Sequence, residues 1–352
     1  MSDEKKTSLA GIVELAHNFT IIQPRKSRTA KSWLVPLFII IIIALSLWLY
    51  YKFTRPLIRI VTESKQVISQ NAVSGIPYFL DNDTIAYSRN DESDSVILVF
   101  KQLSPAGRQA YTKFHRQTEY RHPTMSPSED QTFVWILAQY KTPRIYSVNL
   151  DGTTQTLAQG EWASFSGDAS KIAFQKGNNG QTEIWIMNSD GSNQNSMGLK
   201  GQHPEFSPKK DQLVFESKNK KGSSLIQRVN IYDTPYITKA LTTDKDNCMY
   251  PSFSPDGKII LFYKKGDGLW AMKSNGSKQR RVLKSGKSET IMCSISPDGK
   301  RIAVWSSPDK LTIYKIEYKK IKPSNQKVDI ERLAAFIDTF NEADELPIGS
   351  DQ

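Results

Sequence analysis

Apolar and polar positions alternate along this chain in short runs, each stopped by a turn, and one run displays the pattern in full. In Phe253 to Phe262, FSPDGKIILF, an apolar residue and a serine enter a Pro-Asp-Gly-Lys turn and an apolar run leaves it. Asp-Gly supplies the positive φ that a tight hairpin requires, and proline stiffens the approach. Turn chemistry between two apolar runs predicts a pair of antiparallel strands.

The same run recurs. Aligned on the serine, copies begin at Ser126 (SPSEDQTFV), Ser166 (SGDASKIAF), Ser207 (SPKKDQLVF), Ser254 (SPDGKIILF) and Ser296 (SPDGKRIAV). A degenerate first copy begins at Phe79 (FLDNDTIAY), and successive anchors lie 47, 40, 41, 47 and 42 residues apart. A second repeat runs out of phase with the first. IYSVNLDG (145–152), EIWIMNSDG (183–191) and GLWAMKSNG (268–276) alternate apolar residues up to an Asp-Gly or Asn-Gly turn, and LTIYKIE (311–317) is a weaker version. Each unit therefore reads strand, turn, strand, strand, turn, strand, which is one four-stranded blade. Strand-rich periods near 40 predict a propeller. Six units predict an all-β, six-bladed β-propeller of four-stranded blades over residues 75–318.

The pairing of FSPDGK with IWIMNSDG resembles the TolB-type propeller repeat, a relative of WD repeats that also builds the non-catalytic propellers of prolyl-oligopeptidase-like enzymes. The resemblance covers roughly Gly75 to Tyr318. The fifth and sixth units match closely at the Pro-Asp-Gly-Lys turn, and the third keeps the Asp without the following Gly. The first, second and fourth have drifted further. The resemblance implies work in a bacterial cell envelope with a protein partner at the channel mouth. The α/β domain that precedes the propeller in TolB proper does not fit within residues 53–74.

A different pattern precedes the repeats. Ser32 to Tyr51, SWLVPLFIIIIIALSLWLYY, is 20 residues without a charge. That is the length a helix requires to cross about 30 Å of hydrocarbon. Trp33 at one end and Trp48, Tyr50 and Tyr51 at the other suit the two interfaces. Arg25, Lys26, Arg28 and Lys31 before the run outweigh Lys52, Arg55 and Arg59 after it, which favours the head inside and the propeller outside. The run is too long and starts too late for a cleaved signal peptide. The expected organisation is a cytoplasmic head (1–31), a transmembrane signal anchor (32–52) and a juxtamembrane stalk (53–74) extending the helix. The propeller follows (75–318), and then a linker with an amphipathic C-terminal helix (319–352) whose apolar face holds Ile330, Leu333, Ile337 and Phe340. Between the first two repeats, Leu103 to Arg121 reads either as a recognition loop or as an irregular outer strand.

Charge and cysteine content change this picture only at the edges. The net charge of +11 includes lysine clusters such as Lys218, Lys220 and Lys221, or Lys278, Arg280 and Arg281. Such residues solubilise hairpin tips and blunt strand edges, or else attract anionic lipid or polymer. No aromatic-basic interleaving of the kind single-stranded nucleic acid requires is present. Cys248 and Cys293 lie six and three positions before the anchors of neighbouring units, as two buried small residues or as a disulfide.

Propeller chemistry usually converges at the mouth of the central channel. The position four before each anchor is Gly75, His122, Trp162, His203, Tyr250 and Met292 in turn, and Glu205 lies two beyond the second histidine. His122, Trp162, His203, Glu205, Tyr250 and Met292 are thus the candidate binding residues. His122, His203 and Glu205 make three possible metal donors at best, so no metal is expected. The chain has no Gly-x-Ser-x-Gly elbow, no P-loop and no Rossmann fingerprint, and neither catalytic residues nor a cofactor are assigned. Asp168, Asp256 and Asp298 recur at one offset and so serve their turns. The reading is a non-catalytic, membrane-anchored propeller that binds an envelope protein or anionic polymer. Two alternatives stand beside it: a hydrolase or lyase working at the channel mouth, and an extracytoplasmic ligand sensor.

Overall fold

The computed structural model of the chain describes residues 39–47, 58–69, 76–90, 96–104, 109–113, 118–125, 133–139, 143–148, 154–178, 181–243 and 245–318. The chain divides into two compact units, Met1–Arg55 and Pro56–Gln352. In the first, residues 39–47 form a helix whose side chains are all exposed. No helix among the described residues is long and apolar enough to cross a membrane. The span expected over 32–51 is described only at 39–47, and the head and the C-terminal helix lie outside the described residues.

The second unit is an all-β propeller of four-stranded blades. Among the described residues its strands form six four-stranded antiparallel sheets. An N-terminal strand, β1 (Ile58–Ser69), precedes blade 1, which holds β2 (Tyr78–Phe79), β3 (Thr84–Asn90), β4 (Val96–Gln102) and β5 (Gln109–Lys113). Blade 2 holds β6 (Thr118–Met125), β7 (Phe133–Gln139), β8 (Arg144–Val148) and β9 (Thr154–Gln159). Blade 3 holds β10 (Glu161–Phe165), β11 (Lys171–Asn178), β12 (Gln181–Asn188) and β13 (Asn195–Lys200). Blade 4 holds β14 (Gln202–Phe206), β15 (Gln212–Lys218), β16 (Ser224–Asn230) and β17 (Lys239–Ala240). Blade 5 holds β18 (Cys248–Phe253), β19 (Ile259–Lys264), β20 (Gly268–Lys273) and β21 (Arg280–Lys284). The last sheet holds β22 (Ile291–Ile295), β23 (Arg301–Ser306) and β24 (Lys310–Tyr318), with β1 as its fourth strand.

The repeated serine builds the turn from β18 to β19. Ser254 Oγ donates to Asp256 Oδ1 at 2.7 Å and accepts from the Ile259 amide at 3.0 Å. Asp256 Oδ1 also accepts from the Lys258 amide, and Gly257 adopts φ 66°. A Cβ on Gly257 would sit 3.2 Å from Ser207 Oγ of the preceding blade, so the residue meets both a dihedral and a packing constraint. Ser296 and Asp298 repeat the arrangement, as do Ser166 and Asp168, where Ala169 takes the left-handed position at φ 61°. These aspartates are turn residues.

The inner strands β2, β6, β10, β14, β18 and β22 touch one another in succession, and β22 touches β2. The core lies between blades rather than within one. Val214 and Ile226 of blade 4 pack with Phe253 and Phe262 of blade 5, and Met292 and Trp305 of the last sheet pack with Phe79 and Ile85 of the first. Among the described residues such clusters also join blades 2 and 3, blades 3 and 4, and blade 5 and the last sheet.

One expectation is corrected. Residues 58–69, read as part of a helical stalk, form a strand paired antiparallel with β24, from Ile58↔Tyr318 to Ser69↔Leu311. Leu57, Ile58, Val61 and Ile68 sit at helical spacing, but the outer edge of β24 would otherwise present a row of unpaired backbone groups. Pairing across the sheet outweighs a short local period. The propeller unit therefore begins before residue 75. The Leu103–Arg121 stretch contains the outer strand β5 and the start of β6, so part of it is strand.

Candidate binding site at the channel mouth

Four inner strands share a defect at the candidate position. Pairing in β14 moves from Gln202↔Glu216 to Glu205↔Val214, three steps on one strand against two on the other. The same extra residue occurs in β6 between Arg121 and Thr124, in β10 between Glu161 and Ser164, and in β18 between Met249 and Ser252. A bulge of this kind re-aims a side chain. Within three of them Trp162, His203 and Tyr250 adopt φ of 56°, 52° and 53°. Such conformations cost bulky residues on the order of 1–3 kcal/mol each and persist only where the surroundings impose them.

The result is a cluster of three rings from three successive blades. The Trp162 and His203 ring centroids lie 4.0 Å apart, edge to face, and those of His203 and Tyr250 lie 4.7 Å apart. Trp162 and Tyr250 stack at 5.9 Å across the intervening blade. Both pack against the apolar cluster that buries Met292. β22 has no bulge, and Met292 is only 3% exposed. It is buried in the cluster the rings pack on rather than presented beside them. His122 falls in the matching bulge of β6, and its side chain lies outside the described residues.

Beneath the rings lies a carboxylate that sequence reading missed. Glu216, on β15, is fully buried and receives three hydrogen bonds, from His203 Nδ1 at 2.9 Å, Gln202 Nε2 at 2.7 Å and Ser224 Oγ at 2.6 Å. Burial raises its pKa, but these bonds and the His203 charge outweigh burial and leave it below the usual glutamate value. Burial, and then the Glu216 charge, push the Tyr250 hydroxyl up to about 12. The backbone amide of His203 donates to Gln175 Oε1 of blade 3 at 2.8 Å, so both ends of the residue are held. Gln175, Glu216, Tyr263 and Trp305 all lie nine positions after their anchors. A polar residue there, directly after an apolar run, was the available signal.

Glu205 does not join the rings through its carboxylate. Its Oε1 accepts from the Phe253 amide at 3.0 Å and from Ser252 Oγ at 3.3 Å, which ties blade 4 to blade 5. Ser164 does the same between blades 3 and 4, accepting from the Phe206 amide. Burial pushes the Glu205 carboxyl up to about 7, against the hydrogen bonds that lower it. Among the described residues no group of three or more His, Cys, Asp or Glu is placed to hold a metal ion. Cys248 and Cys293 are both free and buried.

Radial four-stranded blades define a β-propeller, and the ring cluster lies on three of its inner strands. The chain belongs to the TolB β-propeller family: the profile of the TolB beta propeller domain matches residues 59–268. Among solved structures, TolB from Acinetobacter baumannii is 19% identical, with a TM-score of 0.53 over 67% of this chain and 65% of its own. This chain therefore spans somewhat less than two thirds of that TolB. A putative TolB from Agrobacterium tumefaciens is 15% identical, with a TM-score of 0.52 over 73% of this chain and 99% of its own. A gluconolactonase from Xanthomonas campestris is 13% identical, with a TM-score of 0.53 over 72% and 90%. Likeness at these identities speaks to the fold alone. No curated protein sequence matches the chain.

Proposed function

We propose that this chain is a non-catalytic, membrane-anchored, six-bladed propeller that binds a protein of the cell envelope through the face bearing Trp162, His203 and Tyr250. The observation that carries this reading is the repeated bulge, which holds three bulky residues in left-handed conformations so that their rings converge. Aromatic rings on a rigid frame suit a protein partner, because they contribute large contact area at little entropic cost. Family membership favours a binding role for the propeller. The uncharged run Ser32–Tyr51 supports the anchor, with the head inside the cytoplasm and the propeller outside it.

The enzyme reading retains one supporting feature, since a carboxylate that orients an imidazole is also the geometry of a general base. Capture from intact cells tests the binding reading. Tagged full-length protein is crosslinked in intact cells and captured, beside a Trp162→Ala/Tyr250→Ala variant whose folding is checked by its thermal transition. The proposal expects one recurrent envelope protein with the parent chain and its loss with the variant. Equal capture by both would refute the site, and capture of anionic polymer alone would move binding to the lysine clusters.

A further inference from the structure

Apart from the helix at 39–47, the most exposed large apolar residues described are Tyr232 and Ile237, at 66% and 70%. Both lie on the connection from β16 to β17. Tyr236 between them packs against the apolar cluster shared by blades 3 and 4, so it fixes the loop while its neighbours face outward. The outer strand that follows is cut to two residues, against five or six in the neighbouring blades. Exposed Thr234, Pro235, Thr238 and Lys239 complete an edge with no interior role.

The register places this loop on the face opposite the rings. Asn230, at the end of β16, pairs with Gln212, and the Ile231 amide donates to the Asp211 carbonyl beside the serine turn of blade 4. Lys209 and Lys210 of that turn are exposed, as are Lys239 and Lys258. Lys209 packs close to the Gly257 turn of blade 5, which joins two of these cations on one surface. The nearby carboxylates are Asp211, exposed, Asp233, half-buried, and Asp256, which serves its own turn and pairs with Lys258 Nζ at 3.4 Å.

The chain also enters and leaves the propeller on this face. Ile58 pairs with Tyr318 there, and the Ile316 amide donates to the Lys300 carbonyl of the last serine turn. Six residues, 52–57, separate Ile58 from Tyr51, the end of the uncharged run.

We infer that the β16–β17 loop is a second, peripheral membrane contact, in which Tyr232 and Ile237 enter the interfacial zone of an anionic lipid surface flanked by Lys209, Lys210, Lys239 and Lys258. This rests on the anchored reading proposed above. An aromatic and an aliphatic side chain beside lysines is the composition of an interfacial anchor, and each lysine near an anionic surface adds attraction within a Debye length. The contact leaves the ring-bearing face free for a partner.

The test uses the full chain in nanodiscs of phosphatidylcholine with and without phosphatidylglycerol. An environment-sensitive fluorophore is placed at Ile237→Cys, with Lys220→Cys on the opposite face as the control, and nitroxide-labelled lipid is the quencher. The native cysteines are buried and do not compete for label. The expected result is about twofold or greater quenching at 237, stronger with phosphatidylglycerol, and little at 220. A chain that inserts while 237 behaves like 220 overturns this inference and leaves the anchor standing. A chain that never enters the nanodisc overturns the anchor and this inference together. Shielding of 237 that requires an added protein, and not lipid, assigns the loop to a protein partner and also overturns it.

Discussion

His203 donates from Nδ1 to Glu216 Oε2 across 2.9 Å, between a side chain that is 10% exposed and a carboxylate that is 1% exposed. Removing one partner is expected to cost more than removing the charge. His203→Ala leaves a buried carboxylate without this hydrogen-bond donor and is predicted to destabilise the fold by on the order of 3 kcal/mol. Glu216→Gln keeps most of the hydrogen-bond geometry and should cost about 1 kcal/mol. Urea unfolding of both single variants and the double variant checks this, with a coupling energy of about 1–2 kcal/mol expected. Glu216 is also depressed in the fold, so its contribution is full above the unfolded value and is lost as pH falls through the lower folded one. The acid limb of the stability curve should flatten in Glu216→Gln.

Glu205 carries the opposite sign. Its carboxyl is raised to about 7 by burial, above an ordinary value of 4.5. The folded state therefore holds the proton more tightly than the unfolded chain, and stability declines as pH rises from near the ordinary value to the raised one. Glu205→Gln preserves an acceptor for the Phe253 amide and removes this loss. The variant is expected to match the parent near pH 4.5 and to exceed it at pH 8 by on the order of 2–3 kcal/mol. Equal stability at pH 8 would show that the carboxylate is accommodated without cost.

The two cysteines give a chemical reading of the same packing. Burial pushes the Cys248 thiol up to about 12, and burial followed by the Glu205 charge raises Cys293 as well. Neither is expected to react with a disulfide reagent at pH 8 while the protein is folded, and both should react in denaturant. Fast reaction of either in the native state would contradict the inter-blade packing described.

The first strand matters to the fold as a whole. Removing residues 58–69 from the chain exposes the edge of β24 and unlinks β1 from the last sheet. The expected outcome is a thermal transition lower by on the order of 10 °C, or aggregation during expression. An unchanged transition would return this segment to the role of linker.

Much of the fold was legible because the chain repeats its turn chemistry. Ser254, Asp256 and Gly257 each meet a local demand that any reader of the residues can recognise, and recurrence multiplies the signal. β1 was not legible, since its partner lies some 250 residues away and its own apolar spacing suits a helix. The places of Trp162, His203 and Tyr250 on successive inner strands were legible from register alone, four positions before each anchor. What register did not convey was direction. The bulges turn these three rings toward one another, while Met292, on an unbulged strand, is buried and Glu205 bonds sideways to the next blade. Glu216 was missed because its bond to His203 depends on pairing between neighbouring strands.

The most direct measurement of the central claim is site-specific photocrosslinking in cells, with a photoreactive residue at Lys200 or Lys265 on the ring-bearing face and at Lys273 on the opposite one. The account predicts a discrete protein adduct from Lys200 and Lys265, weakened at least about tenfold by Trp162→Ala/Tyr250→Ala, and none from Lys273. Adducts of the same protein from Lys273 alone, or adducts indifferent to the double substitution, would contradict it.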